Sequence, residues 1–253
     1  MPSAFIGHGN PMNAIAHNRS TESWATFARW MPTPSAILVV SAHWYVNVTT
    51  VTAMQTPRTI HDFYGFPQSL VDVQYPAPGD PSIVDRVVEP TYVGLDEDGW
   101  GIDHGTWSVL VHMFLEANVP VIQLSINAEL PFYYHFALGA KLHALRGEGV
   151  LNVGSGNVVH NLRLMDWNLE GHGAAWAQRF DDDMRSIMTS DASELGRAAN
   201  HGDYSPAVPT PDHFLPLAYV AGLSAAAGVA TRPLIDGYEM GSLSMTAYEL
   251  PAA

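Results

Sequence analysis

Ala36-Ile37-Leu38-Val39-Val40-Ser41-Ala42-His43-Trp44 is the stretch that decides the fold. It follows two prolines, Pro32 and Pro34, is apolar and rich in β-branched residues through Val40, and ends in a small residue, a histidine and a tryptophan. A short unbroken apolar run of this kind reads as a buried strand of a parallel sheet. Open α/β sheets place their chemistry just past the carboxyl ends of such strands, and His43 stands there. Ser41 and Ala42 are small enough to leave room for a ligand beside it, and Trp44 reads as a packing residue.

The flanking chain alternates strands and helices. Ala4-Phe5-Ile6 forms a first strand running into Gly7-His8-Gly9-Asn10-Pro11, where glycines on both sides free the backbone around an imidazole that a structural turn does not need. Trp24, Phe27, Ala28 and Met31 recur at helical spacing between Thr21 and Met31, a core stripe. Val46 to Met54 reads as a neighbouring strand and Leu70 to Tyr75 as an antiparallel or edge strand. Asp80 is placed to cap a helix through Val88. The loop around His104, in Asp103-His104-Gly105, leads into an apolar helix from Ser108 to Glu116. Val119 to Ile126 is another buried strand, and Pro131 opens a helix to about Arg146.

Gly149 to Val153 is a third buried strand, breaking into Gly154-Ser155-Gly156. The Gly-x-Gly turn resembles half of a nucleotide-binding fingerprint, but Val159 occupies the place of the third glycine. The favoured reading is a turn that aims His160 back over the sheet edge. Asp181-Asp182-Asp183, on a helix from Trp176 to Met188, reads as a solvated face, because consecutive helical residues point in different directions. His213, framed by Pro211 and Pro216, sits near the start of a small-residue helix, Leu217 to Ala227. Thr231 to Leu234 and Ser242 to Tyr248 close the chain as strands. The alternation predicts one α/β domain over residues 1–253, with a largely parallel or mixed sheet flanked by helices and the site at its carboxyl edge.

Composition narrows the function. Eleven Lys+Arg against 25 Asp+Glu give a formal charge of −14, which repels phosphate backbones and argues against nucleic acid. No window approaches ~18 uninterrupted apolar residues, so no membrane span is expected. Met1 to Ile6 has no basic residue before its apolar part and is too short for a secretory signal. The cysteine count is zero, which removes thiolate metal sites, thiol nucleophiles and iron–sulfur clusters and fits a reducing cytosol. The reading is a soluble, acidic, cytoplasmic protein whose oligomeric state the sequence leaves open.

Twelve histidines outnumber the basic residues. His17, His112, His135, His143, His172 and His201 lie in helix-like or polar loop surroundings and read as solvated or packing residues. His8, His43, His160 and His213 are framed by glycine, proline or a strand end. Together they suggest one mononuclear metal site, since neutral imidazole suits Zn, Fe, Cu or Ni whereas Mg and Ca take oxygen ligands. Their dispersed spacing also permits four unrelated loop histidines. The aromatic loop His61-Asp62-Phe63-Tyr64-Gly65-Phe66-Pro67 either lines a pocket for a planar ring, with His61, Tyr64 and Phe66 as its contacts, or packs on the surface.

Seven segments in this order resemble one group of proteins: Gly7-His8-Gly9-Asn10-Pro11, Ser41-Ala42-His43-Trp44, His61 to Pro67, Tyr75-Pro76-Ala77-Pro78-Gly79, Asp103-His104-Gly105-Thr106-Trp107, Gly156 to Leu162, and Pro211 to Pro216. The group is the DOPA extradiol dioxygenases, within the class III extradiol ring-cleavage dioxygenases related to the catalytic subunit of protocatechuate 4,5-dioxygenase. The resemblance runs from about residue 3 to residue 248. It implies an α/β fold with one non-haem divalent metal, Zn²⁺ or Fe²⁺, at the sheet edge. His8, His43 and His213 fall at ligand positions. His160 falls at the acid/base histidine, which in zinc-bound members also approaches the metal, and His104 at a histidine lining the substrate and dioxygen pocket. Asn10 stands where serine is common.

These roles imply a catechol substrate and dioxygen as partners. His160 would take a catechol proton and later return one, and His104 would donate a hydrogen bond to a developing oxyanion. Asp103 or a nearby carbonyl would orient an imidazole. Histidine sites bind zinc well, but zinc has no redox chemistry, so Fe(II) is the expected agent of ring cleavage. The alternatives are a zinc hydrolase on the same histidines and a non-enzymatic metal- or ligand-binding protein.

Overall fold

In the computed structural model, which describes residues 1–91, 93–169 and 171–252, the run from Ala36 to Val40 lies at the centre of a mixed sheet. The strands are β1 (Ser3–Gly7), β2 (Ala36–Val46), β3 (Thr50–Thr52), β4 (Gly94–Asp96), β5 (Val121–Asn127), β6 (Val150–Gly156), β7 (Arg232–Ile235), β8 (Tyr238–Glu239), β9 (Leu243–Ser244) and β10 (Ala247–Leu250). Eight of them form one sheet in the order β4-β3-β5-β2-β6-β1-β10-β7, and β8 pairs with β9. The central four, β5-β2-β6-β1, are mutually parallel, while β10 and β7 add an antiparallel edge. The α/β class read from the sequence holds.

Helices α1 (Arg19–Trp30), α2 (Gln68–Val71), α3 (Pro81–Thr91), α4 (His104–Met113), α5 (Phe132–Lys141), α6 (His143–Gly147), α7 (Ala175–Ser190), α8 (Tyr204–Ala207) and α9 (Leu215–Ala227) flank the sheet. Both faces of β2 are covered, which is why its sequence is continuously apolar. Ile37 and Val39 join Trp24, Phe27, Trp107 and Leu110 in one core. Ala36, Leu38 and Val40 join Leu138, Leu142, Tyr219 and Leu223 in the other. Among the described residues no helix is long and apolar enough to cross a membrane.

Several local expectations are corrected. Val46 to Met54 contributes only β3, and β3 pairs with β4 and β5 instead of lying beside β2. Leu70 to Tyr75 is not a strand: Pro67 starts the one-turn helix α2, and Leu70 and Tyr75 are buried as anchors of an irregular segment. His104 is not in a loop ahead of a helix but is the first residue of α4, because the Asp103 side chain caps it by accepting from the Thr106 amide at 3.1 Å. The helix after Pro131 breaks into α5 and α6. Gly154 and Gly156 lie inside β6 and no helix follows them; a Cβ on Gly154 would stand 2.5 Å from the Pro216 carbonyl oxygen, so the glycine admits the backbone of α9.

The acidic triplet is also not uniformly solvated. Asp182 and Asp183 are exposed, but Asp181 is fully buried. It accepts hydrogen bonds from Thr246 Oγ1 at 2.6 Å, Ser244 Oγ at 3.1 Å and Tyr238 Oη at 3.1 Å. Burial pushes its carboxyl up, and those bonds with the charge of Arg185 oppose the shift. Asp181 thereby pins the 238–246 segment, whose Leu243 pairs with His160 and whose Ser244 amide bonds the Val159 carbonyl. Asp181→Ala leaves three buried hydroxyls short of an acceptor and is expected to cost about 3 kcal/mol, read by urea denaturation.

Candidate metal centre

Ile6, Ser155 and Ser41 occupy one row across β1, β6 and β2, at the carboxyl end of the sheet. His8 follows two residues later, its amide bonded to the Gly156 carbonyl at 3.1 Å. His43 arrives by a different route. β2 does not end at His43 but continues to Val46, and its five-residue step from Val40 to Tyr45 spans only the step from Leu124 to Ile126 in β5. A bulge of this kind re-aims side chains, and it carries Ser41, Ala42, His43 and Trp44. His213 precedes α9 and is tied to the end of β6 by the Asn157 amide, which donates to its carbonyl at 2.9 Å.

The result is convergence. His8 Nε2 and His43 Nε2 are 3.3 Å apart, and one ligand atom from each of His8, His43 and His213 lies within 4.8 Å of the others. His43, Asp62 and His104 form a second such group among the described residues, and His160 belongs to neither. The His160 ring stacks on that of His213 with centroids 3.5 Å apart and planes 2° from parallel.

Hydrogen bonding settles the state of the nitrogens. Ser155 Oγ donates to the Gly105 carbonyl at 2.5 Å, so its contact with His8 Nδ1 at 3.0 Å is one in which the imidazole donates. His43 Nδ1 lies 3.2 Å from Asp62 Oδ2, and His213 Nδ1 lies 2.5 Å from Asp212 Oδ2. With each Nδ1 donating, the three Nε2 atoms are bare acceptors facing one another. Such a set lacks a proton to share and fits a divalent cation, with carboxylates orienting two of the ligands from behind. His104 Nδ1 donates to Asp62 Oδ1 at 2.7 Å, so neutral His104 holds an acceptor at Nε2, not the donor expected of it.

A cavity of about 280 Å³ opens over this cluster, lined by all five histidines and by a lip of Leu162, Met165, Trp167, Met240 and Leu243. A larger cavity, about 400 Å³, lies between α1 and the chain ends but has no histidine in its lining, so the chemistry belongs to the smaller one. Of the aromatic loop, Tyr64 is 96% exposed, His61 Nε2 donates to the Val73 carbonyl at 2.8 Å, and Phe66 packs on Phe63. None of these three lines the cavity. Phe63 instead meets His104 edge-on at 5.4 Å. Ser41 and Ala42 leave no ligand space, since Ser41 Oγ is buried and bonded to Asp103 Oδ1 at 2.8 Å. Trp44 packs, stacking on Trp100.

Asp103 orients no imidazole, because Ser41, Gln123, Trp100 and the Thr106 amide occupy its oxygens. That role falls to Asp62 and Asp212, which the sequence reading left unassigned. Each adjoins a histidine in the chain, Asp62 after His61 and Asp212 before His213, and that adjacency was the available signal. Ser155 and the apolar lip carried none.

Electrostatics follow the same geometry. Burial pulls His8 well below the usual imidazole range, and the neighbouring histidines add to it. Burial lowers His160 to about 2, with His213 contributing. Burial opposes ionisation of Asp62, but hydrogen bonds from His104 and His43 outweigh it and hold the carboxyl well below the usual range. Burial also pulls His43 down, yet the bond to Asp62 and the charge of Asp103 carry it above its ordinary value. Protons therefore compete with a metal at His43. Metal affinity is expected to fall by up to about tenfold per pH unit as pH drops through that raised value, which cobalt(II) titrations at about pH 6 and about pH 8 would read.

Gly105 is needed where it stands. A Cβ there would meet His43 Cδ2 at 2.6 Å and Ser41 Oγ at 2.7 Å. Gly105→Ala is expected to displace His43 and weaken metal binding by roughly tenfold or more, the scale seen when ligand support is lost; calorimetry with zinc measures it.

A histidine cluster on the carboxyl edge of a mixed α/β sheet, with bare nitrogens and carboxylates behind them, defines a metal-site enzyme fold. Residues 5–247 match the family described as the catalytic LigB subunit of aromatic ring-opening dioxygenase, and the chain belongs to that family. It is accordingly an enzyme of the extradiol ring-opening dioxygenase class. It is 46% identical to a 4,5-DOPA dioxygenase extradiol of Escherichia coli K12, over 99% of this chain and 94% of that one. It is 33% identical to the protein of the same name from Beta vulgaris, over 97% and 94%. A crystal structure of an uncharacterized protein from Escherichia coli K12 superposes with a TM-score of 0.86 at 40% identity, covering 99% of this chain and 100% of that one.

Proposed function

We propose that this chain opens the ring of a catechol bearing an alkyl side chain, DOPA being one such molecule, with dioxygen as co-substrate. In this reading His8, His43 and His213 hold one divalent metal, Fe(II) for turnover, and His160 is the acid/base residue. The observation that carries it is the convergence of three bare Nε2 atoms on the floor of a cavity that His160 and His104 also line.

A divalent ion held there supplies Lewis acidity that lowers a catechol hydroxyl pKa and, as Fe(II), the redox chemistry that dioxygen requires. The residues do the rest. Three imidazoles contribute no charge of their own, and Asp62 and Asp212 deliver theirs through His43 and His213. His160 is neutral and makes no side-chain hydrogen bond to another residue among those described, so it is available to take a hydroxyl proton. The negative charge of a deprotonated catechol beside it raises its proton affinity. The lip of Leu162, Met165 and Trp167 suits an apolar side chain and keeps water from the ring. The cysteine-free composition supports a cytoplasmic setting.

The test is anaerobic loading with Fe(II), then air with L-DOPA or 4-methylcatechol, followed by oxygen uptake and the absorbance of a yellow ring-opened product. No uptake with any catechol at full iron occupancy overturns the reading. Ester or amide hydrolysis that tracks zinc would replace it with hydrolase chemistry.

A further inference from the structure

We propose that Asp62 is the positioning residue of this centre, its one carboxylate fixing the tautomers of two histidines with different tasks. It holds His43 with Nε2 bare for the metal and His104 with Nε2 bare as an acceptor in the cavity wall. The proposal rests on reading His8, His43 and His213 as the metal's ligands.

Asp62 reaches both rings from the loop between β3 and α2. Its Oδ2 is 3.2 Å from His43 Nδ1, and its Oδ1 is 2.7 Å from His104 Nδ1 and 3.2 Å from the His104 amide nitrogen. An ionised carboxylate only accepts, so both imidazoles donate from Nδ1. Neither ring has a substitute. Asp212 serves His213, and Asp103, the acid nearest His104 in the chain, is bonded to Ser41, Gln123 and Trp100. The His43 and His104 rings lie with centroids 3.8 Å apart, so one carboxylate spans both.

Two consequences follow. At His43, loss of the bond frees the ring to protonate Nε2, the atom that faces His8 Nε2 at 3.3 Å. At His104, a bare Nε2 accepts a hydroxyl hydrogen from a bound catechol. With His160 on the opposite wall, the cavity then offers one acceptor imidazole to each of the two catechol hydroxyls. An amide at position 62 cannot do what the carboxylate does. Asparagine presents one oxygen and one NH2, so it can accept from one ring only and must donate to the other.

The experiment uses the full chain with ¹⁵N-labelled histidine. Long-range ¹H–¹⁵N correlation spectra of the metal-free protein read the tautomers of His43 and His104, and cobalt(II) titration reads metal affinity. The wild type is expected to show Nδ1–H at both rings. Asp62→Asn is expected to convert one ring to Nε2–H, and Asp62→Ala to release both. Cobalt affinity is expected to fall by roughly 10–100-fold in each variant, as for other groups that orient metal ligands. Asp62→Asn matches the carboxylate in size and carries the test if the alanine variant fails to fold. Unchanged tautomers at both rings in Asp62→Asn, or cobalt binding within about twofold of wild type, overturns the proposal. Failure of the wild type to bind cobalt would overturn the ligand reading instead, while the metal-free spectra still decide what Asp62 does.

Discussion

His160→Gln is expected to cut ring-opening turnover by roughly 10²–10⁴-fold, the range contributed by a positioned acid/base group, while one metal per chain is retained. The two halves of this expectation come from separate observations. His160 lies outside both groups of mutually close ligand atoms, so its loss removes no nitrogen from the His8, His43 and His213 set. It nevertheless stacks face to face on His213 and lines the cavity, within reach of a ring bound over the metal. Glutamine keeps much of the side chain's volume and remains neutral, so the packing against His213 is disturbed little. Oxygen uptake beside elemental analysis measures both halves. Turnover within tenfold of wild type would remove His160 from proton transfer. A folded protein that has lost its metal would make His160 a ligand.

His43→Ala is the second large effect. Loss of one of three ligand nitrogens is expected to lower metal affinity by ~100-fold or more, beyond the scale for supporting groups, and to abolish turnover. The fold is expected to survive. His43 sits at the half-buried end of β2, whereas the residues that build the two cores, Ala36 to Val40, are untouched. A melting temperature within ~4 °C of wild type, about 1 kcal/mol for a chain of this size, together with absent metal, is the expected pair of readings. A large drop in melting temperature of the metal-free variant would place His43 among the residues the fold requires. This variant also differs from the Asp62 substitutions, which keep all three ligand nitrogens and only loosen one of them.

The apolar run at 36–40 and the strands at 4–6, 121–126 and 150–153 were legible because a strand covered on both faces must be apolar at every position, and helices alternating between such strands leave few topologies. Short elements were not legible. Val46 to Met54 alternates like a strand, yet three residues of it pair, and their partners are chosen by tertiary packing. The segment at 70–75 has strand-like residues, but its apolar side chains are anchors for an irregular path. Asp181 shows the same limit, since a buried carboxylate and an exposed one look identical in sequence until three hydroxyls from residues 238–246 are folded against it.

The sequence alone determined the class of fold, the histidines worth watching and, through seven ordered segments, the family. Those are properties of local pattern: periodicity, glycine and proline framing, and residue order. Tertiary structure alone decided which nitrogen of each histidine is bare, that Asp62 and not Asp103 stands behind His43 and His104, and that Trp167 and Met165, not Tyr64 and Phe66, rim the cavity. It also decided how the run that begins at Ala36 delivers its histidine, through a bulge after Val40. The physical reason is that a proton's position on an imidazole is set by the partner at its other nitrogen. Those partners come from residues 62, 155 and 212, which only the folded chain brings to one edge of the sheet.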